Sequence, residues 1–114
     1  MDLYSVMCVS DRNKARAWYQ ALLGRPADEI IGEEYLWQLG ECAWLVVDDR
    51  SMRAERVGGA MITLGVEDLD DILARLAAHG ISHEPLETYS NGVRHAVVTD
   101  PDGNSVSLAQ APDQ

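Results

Sequence analysis

The sequence predicts an α+β fold: two tandem β-α-β-β-β modules whose curved sheets surround a concave cleft, each with its helix on the convex side. Three observations carry this. The triplet Val9-Ser10-Asp11 ahead of one helix overlays Val66-Glu67-Asp68 ahead of another, and the glycines that stop both helices, Gly24 and Gly80, then fall within one residue of register. Each helix is followed by strands joined through short turns, which does not suit a doubly wound sheet, where helices separate nearly all strands. The stretch 97–110, Val-Val-Thr-Asp-Pro-Asp-Gly-Asn-Ser-Val-Ser-Leu-Ala-Gln, is a hairpin by its own chemistry. Pro101 sets φ for a type I turn, Asp102 tolerates the next position, and Gly103 supplies the positive φ that closes the loop.

Taken in order, Leu3 to Val9 alternates as a strand, and Ser10-Asp11 offers an N-cap. Arg12 to Leu23 carries Ala15, Trp18, Tyr19 and Leu22 at helical spacing, and Gly24 followed by Pro26 ends the helix. Ala27 to Ile31 and Tyr35 to Leu39 read as strands, Gly40-Glu41 as a two-residue turn, and Cys42 to Val47 as the returning strand. These make repeat 1, residues 1–49. The polar stretch 50–59, closing in Gly58-Gly59, is the connection. Repeat 2, residues 60–112, restarts the pattern: strand Ala60 to Val66, N-cap Asp68, a helical stripe of Leu69, Ile72, Leu73 and Leu76, then strands Ile81 to Glu87 and Val93 to Thr99 before the closing strand. Residues 1–114 are thus expected to form one domain.

In the hairpin, pairing Asp100 with Asn104 sets Thr99 beside Ser105, Val98 beside Val106, Val97 beside Ser107 and Ala96 beside Leu108. One face is then wholly apolar, through Ala96, Val98, Val106 and Leu108. The other, with His95, Val97, Thr99, Ser105 and Ser107, is mixed. The first suits a helix and the second a cavity.

Composition narrows the function. Nine Lys and Arg against 19 Asp and Glu give a net charge of −10, which opposes nucleic acid and anionic membranes and favours cationic ligands. No stretch approaches the roughly 20 apolar residues of a membrane span, and no basic leader precedes an apolar run, so the expected location is the cytoplasm. Cys8 and Cys42 are too few for a disulfide framework and read as reduced, buried residues. There is no Phe; three Trp and four Tyr supply every large ring, each with a polar handle.

The Val-Ser-Asp entry into a helix at 9–11, the Ala-x-x-Trp-Tyr-x-x-Leu-Leu-Gly run at 15–24 and the Asp-Pro-Asp-Gly-Asn turn at 100–104 resemble the vicinal oxygen chelate superfamily. That group includes glyoxalase I, fosfomycin-resistance enzymes, extradiol dioxygenases and bleomycin-resistance proteins. In its metal-using members one ligand lies on the first strand of each module and another on the last. Carried over residue by residue, the resemblance points to Tyr4 and Met61 on the first strands and Ser107 on the last strand of repeat 2. Matching Gly40 to Gly103 puts the remaining position at Trp44. None is His, Glu, Gln or Asp, the donors such sites need, and a shift of one residue either way supplies none either. The expectation is a member with no metal and no other cofactor. The resemblance also implies a homodimer.

With Gly40-Glu41 as a two-residue turn, Trp37 lies opposite Trp44, Leu36 opposite Leu45 and Tyr35 opposite Val46. Tyr35, Trp37 and Trp44 then share the cavity wall with Tyr4 and Met61, faced by His95 and Ser107. Such a wall stacks a flat or cationic ligand, each good aromatic contact contributing about 0.5 to 2 kcal/mol. His79 and His83 are split by Gly80 and read as surface residues, with His79 near a helix C-terminus. Arg94 falls on the face opposite His95 and suits a salt bridge, and Leu86 to Gly92 suits a loop over the cavity mouth.

The expected function is therefore sequestration of a planar or cationic aromatic small molecule, without catalysis. Two alternatives stay open. One is a glyoxalase- or dioxygenase-like enzyme with a displaced metal site at His83, His95 or Glu87; the other is a metal-free acid–base enzyme using His95 or Tyr4. No acid and base pair is evident, so no catalytic residue is assigned.

Overall fold

The computed structural model describes residues 1–49 and 54–113. Residues 50–53 of the expected connection lie outside the described residues; the rest of it holds a short 3-10 turn, Ala54–Arg56. Module 1 comprises β1 (Leu3–Cys8), α1 (Arg12–Leu23), β2 (Glu29–Ile31), β3 (Glu34–Gly40) and β4 (Ala43–Asp48). Module 2 comprises β5 (Met61–Gly65), α2 (Leu69–Ala78), β6 (Glu87–Thr88), β7 (Arg94–Thr99) and β8 (Ser105–Gln110). The expected strand Ile81 to Glu87 shrinks to β6: Pro85 has no N–H to give a ladder, and ahead of β6 the stretch bonds to β7 from Glu84 N to the Val97 carbonyl at 2.9 Å.

Each module forms a four-stranded mixed sheet, ordered β1-β4-β3-β2 and β5-β8-β7-β6, with its first strand parallel to its last. The repeat is visible in single bonds. Val9 N donates to the Asp48 carbonyl at 3.0 Å, and Val66 N to the Ala109 carbonyl at 2.9 Å. Counted back from that shared bond, Trp44 corresponds to Ser105 and Val46 to Ser107. Matching Gly40 to Gly103 therefore puts Trp44 at the wrong level of its strand.

Both helices start at the expected aspartates, with different caps. The Asp11 carboxylate accepts from Asn13 N and Lys14 N at 3.0 and 3.1 Å. Asp68 makes no side-chain cap bond; Leu69 N is satisfied instead by Gln110 Oε1 at 2.8 Å. Gly24, at φ 78°, ends α1 in the left-handed conformation that only glycine adopts cheaply. The α1 carbonyls of Ala21 and Leu22 are taken up by Arg75 of α2, which donates through Nε and Nη2 at 2.7 Å each. A helix C-terminus carries partial negative charge, so a guanidinium there both pairs the carbonyls and offsets the dipole.

The β7–β8 pairing is the expected one, from Thr99 opposite Ser105 to Ala96 opposite Leu108. Its apolar face, Ala96, Val98, Val106 and Leu108, is fully buried. One core joins the two modules, combining Tyr19 and Leu22 of α1, Leu69 and Leu76 of α2, Met7, Leu45 and Val47 of the first sheet, and Val98, Val106 and Leu108 of the second. Burying aliphatic side chains of this size contributes about 1.5 to 3 kcal/mol each.

Candidate functional site

Strand alternation gives each sheet a face packed on its helix and a face turned away from it. On the first sheet the free face carries Tyr4 and Val6 of β1 beside Trp44 and Val46 of β4. Tyr4 and Trp44 are direct neighbours in the parallel ladder, and their rings stack at 6.2 Å with an interplanar angle of 12°. Tyr4 is 52% exposed. The free face of the second sheet carries Met61 and Thr63 of β5, His95 and Val97 of β7, and Ser105 and Ser107 of β8. Ser107 pairs with Thr63 and Val97, while Met61 is 82% exposed. His95 stacks on Tyr89 at 5.6 Å, its Nδ1 lying 3.3 Å from the tyrosine hydroxyl, and Glu87 sits opposite it in the ladder. The segment holding Tyr89 thus does lie against His95.

Tyr35 and Trp37 do not join this surface. The β3–β4 register pairs Trp37 with Leu45, Tyr35 with Val47 and Gln38 with Trp44, and is irregular between Gln38 and Gly40. Leu39 occupies the irregularity, so Gly40 pairs with Ala43 and the turn residues are Glu41-Cys42 rather than Gly40-Glu41. A slip of one residue sends every side chain to the other face. Trp37 is fully buried against the helix side, where its Nε1 donates to the Arg25 carbonyl at 2.9 Å. Tyr35 is also in the core; its hydroxyl donates to Asn13 Oδ1 at 3.2 Å, and the Arg16 guanidinium sits 5.2 Å from its ring centre. Cys42, in the turn, is exposed rather than buried.

The donor set does not fit a metal. Tyr4, Met61 and Ser107, with either Trp44 or Val46 as the fourth position, offer one phenol, a thioether and a hydroxyl to an ion that needs imidazole or carboxylate. Among the described residues no three His, Cys, Asp or Glu side chains come together to hold one. His83 turns to the Glu84 carbonyl and His79 to the Arg75 carbonyl, both exposed. Arg94 forms an exposed bidentate pair with Asp70, at 2.6 and 3.2 Å, which holds the Asp70 carboxyl below its usual range.

A cavity of about 770 Å³ opens between the modules, lined by Leu3 and Ser5 of β1, the α1 end at Leu22 and Leu23, Leu39 and Trp44, and Ile62 through Asp68. Only Trp44 of the expected site residues borders it. Sequence reasoning missed this cavity, since its walls come from both modules, and it missed Arg75, whose partners are backbone carbonyls of another helix.

Two repeated β-α-β-β-β units, each leaving one sheet face free of its helix, define a paired-module class of α+β domains. The chain belongs to the Glyoxalase/Bleomycin resistance protein/Dioxygenase superfamily, whose family model matches residues 3–108. Among solved structures it is similar to a glyoxalase / bleomycin resistance protein from Catenulispora acidiphila, at 38% identity and TM-score 0.87 over 98% of this chain and 99% of that one. It is also similar to TnmS3, an antibiotic binding protein from Streptomyces sp. CB03234, at 26% identity and TM-score 0.75 over 98% and 96%. A lactoylglutathione lyase from Agrobacterium tumefaciens, 19% identical with TM-score 0.74 over 96% and 92%, shares the fold. No curated protein sequence matches the chain.

Proposed function

We propose that this chain is a metal-free small-molecule-binding protein of the glyoxalase/bleomycin-resistance type, which sequesters a planar or cationic aromatic ligand on the helix-free sheet faces. The observation that carries the reading is the Tyr4–Trp44 stack, a flat aromatic surface left half open to solvent. Met61, His95 and Ser107 supply a thioether, an imidazole and a hydroxyl on the corresponding face of module 2. A net charge of −10 favours a cation over an anion at this surface, and the likeness to an antibiotic binding protein agrees with a binding rather than a catalytic role.

A cytoplasmic homodimer belongs to the same reading. No helix among the described residues is long and apolar enough to cross a membrane. Leu3, Tyr4, Val6, Ile31 and Met61 are exposed, and their burial against a second copy would support a dimer. Light scattering that returns the 12.6 kDa of one chain overturns the dimer.

The test is tryptophan fluorescence titrated with a panel of cationic and neutral planar compounds. Saturable quenching by the cationic aromatics, lost in Trp44→Phe, is expected; a flat response across the panel overturns the reading. Stoichiometric Zn, Fe, Mn or Ni in protein purified without chelators overturns the metal-free part and favours an enzyme.

A further inference from the structure

The repeat makes the two modules alike, yet they differ where each helix begins. Beside the start of α1, the β7–β8 turn fills the space: Ser10 N and Oγ both donate to the Asp102 carboxylate, at 3.1 and 2.6 Å, and Asn104 Nδ2 donates to the Cys8 carbonyl at 3.0 Å. The counterpart beside α2 is the tighter β3–β4 turn, and among the described residues none of that turn bonds to Glu67 or Asp68, the repeat equivalents of Ser10 and Asp11. The unfilled space is the cavity of about 770 Å³.

Its two ends are oppositely charged. At one end stand Glu67 and Asp68, and the Asp68 carboxylate, unlike that of Asp11, is not spent on a helix cap. At the other stands Arg75, whose Nε and Nη2 are engaged by the α1 carbonyls; among the described residues its Nη1 has no partner and no carboxylate pairs with it. Arg25 also lines the cavity, with its Nη2 already held by the Asp28 carboxylate and the Gln38 carbonyl. Asp68 and Arg75 belong to one helix, their backbone positions separated by roughly 10 Å at a rise of about 1.5 Å per residue. Leu22, Leu64, Ile72 and Leu108 form the apolar wall between them.

We propose that this cavity is a second binding site, for an elongated zwitterion: a cationic group at Asp68 and Glu67, an apolar body along the aliphatic wall, and a carboxylate at Arg75. It opens between the modules toward α1 and α2 and reaches Trp44 and Thr63 only at its rim, so it does not need a ligand stacked on Tyr4. The paired charges discriminate between ligands, since a molecule with one charge leaves the opposite end of the cavity unanswered.

The probes are ω-aminooctanoic acid, a flexible zwitterion of about that length, with octanoic acid and octylamine, followed by backbone amide NMR. The zwitterion is expected to shift the Ile62 to Val66 amides saturably and to bind about fivefold tighter than either singly charged analogue, the scale of one partly exposed charge pair. Asp68→Asn, which keeps a good N-cap residue, should reduce the zwitterion to the affinity of octanoate and leave octanoate unchanged. Ser5→Phe should block all three probes by filling the cavity. Equal affinity for the three probes, an unchanged zwitterion affinity in Asp68→Asn, or no shift at these amides overturns the proposal. So do shifts confined to Tyr4, His95 and Ser107, none of which lines the cavity and which place the probe on the helix-free faces.

Discussion

The Tyr19 hydroxyl on α1 donates to the Asp100 carboxylate at 2.8 Å, across 81 positions of sequence. Asp100 also accepts from Asn104 Nδ2 and from the backbone N–H groups of Asp102 and Asn104, at 2.8 to 2.9 Å. Both side chains are buried, so the carboxylate is sheltered from water yet well supplied with donors, the condition under which a buried charge is tolerated. The bond ties the helix of module 1 to the last hairpin of module 2.

Tyr19→Phe leaves that carboxylate one donor short and is expected to cost about 1 to 3 kcal/mol in urea denaturation. Burial first, and the nearby Asp100 charge second, push the Tyr19 phenol well above its ordinary range. A group whose folded pKa is raised stabilises fully below its unfolded pKa, near 10 for tyrosine, and loses that contribution as pH climbs toward the folded value. Stability should therefore fall above about pH 10, and the fall should be shallower in Tyr19→Phe. Parallel curves for the two proteins contradict this.

The two indoles should respond oppositely to truncation. Trp37→Ala empties a fully buried site and is expected to cost about 3 to 5 kcal/mol in thermal or urea unfolding. Trp44→Ala, at a half-buried position, should cost much less while abolishing the quenching by cationic aromatics. A cheap Trp37→Ala would mean that its ring does not fill the core.

Arg75→Ala should cost about 2 to 3 kcal/mol, because two carbonyls at the end of α1 lose charge-assisted bonds. Arg75→Lys should recover only part, since a point charge cannot reproduce the fork that reaches both oxygens. Hydrogen exchange of the last α1 turn reads the effect locally.

Two glycines with positive φ give a paired test. A Cβ on Gly58 would stand 2.0 Å from the Asp102 carbonyl oxygen, whereas one on Gly80 meets nothing within 4 Å. Gly80→Ala should cost about 1 kcal/mol for the backbone conformation alone, and Gly58→Ala at least about 3 kcal/mol, with the β7–β8 turn displaced. Equal melting points for the two variants would contradict the close approach.

The hairpin register was legible because Asp100-Pro101-Asp102-Gly103-Asn104 specifies its own turn geometry, which fixes the pairing of every flanking residue. The β3–β4 register was not. Gly40-Glu41 carries no equally strict turn chemistry, and the extra residue at Leu39 moved Tyr35 and Trp37 from the expected cavity to the core. Tyr4, Met61, His95 and Ser107 fall on the helix-free faces because simple alternation holds in unbulged strands. The cavity between modules depends on how far two turns reach, a three-dimensional difference with no local signature.

The chain has no phenylalanine, and Tyr19, Tyr35 and Trp37 are each tethered at the rim by a hydrogen bond. A tethered ring cannot slide sideways to heal a neighbouring void, as a loose phenyl group does. The core around these three rings is therefore a pegged frame rather than an adaptable filling, and truncating a neighbour there should leave a void that the rings do not move to close.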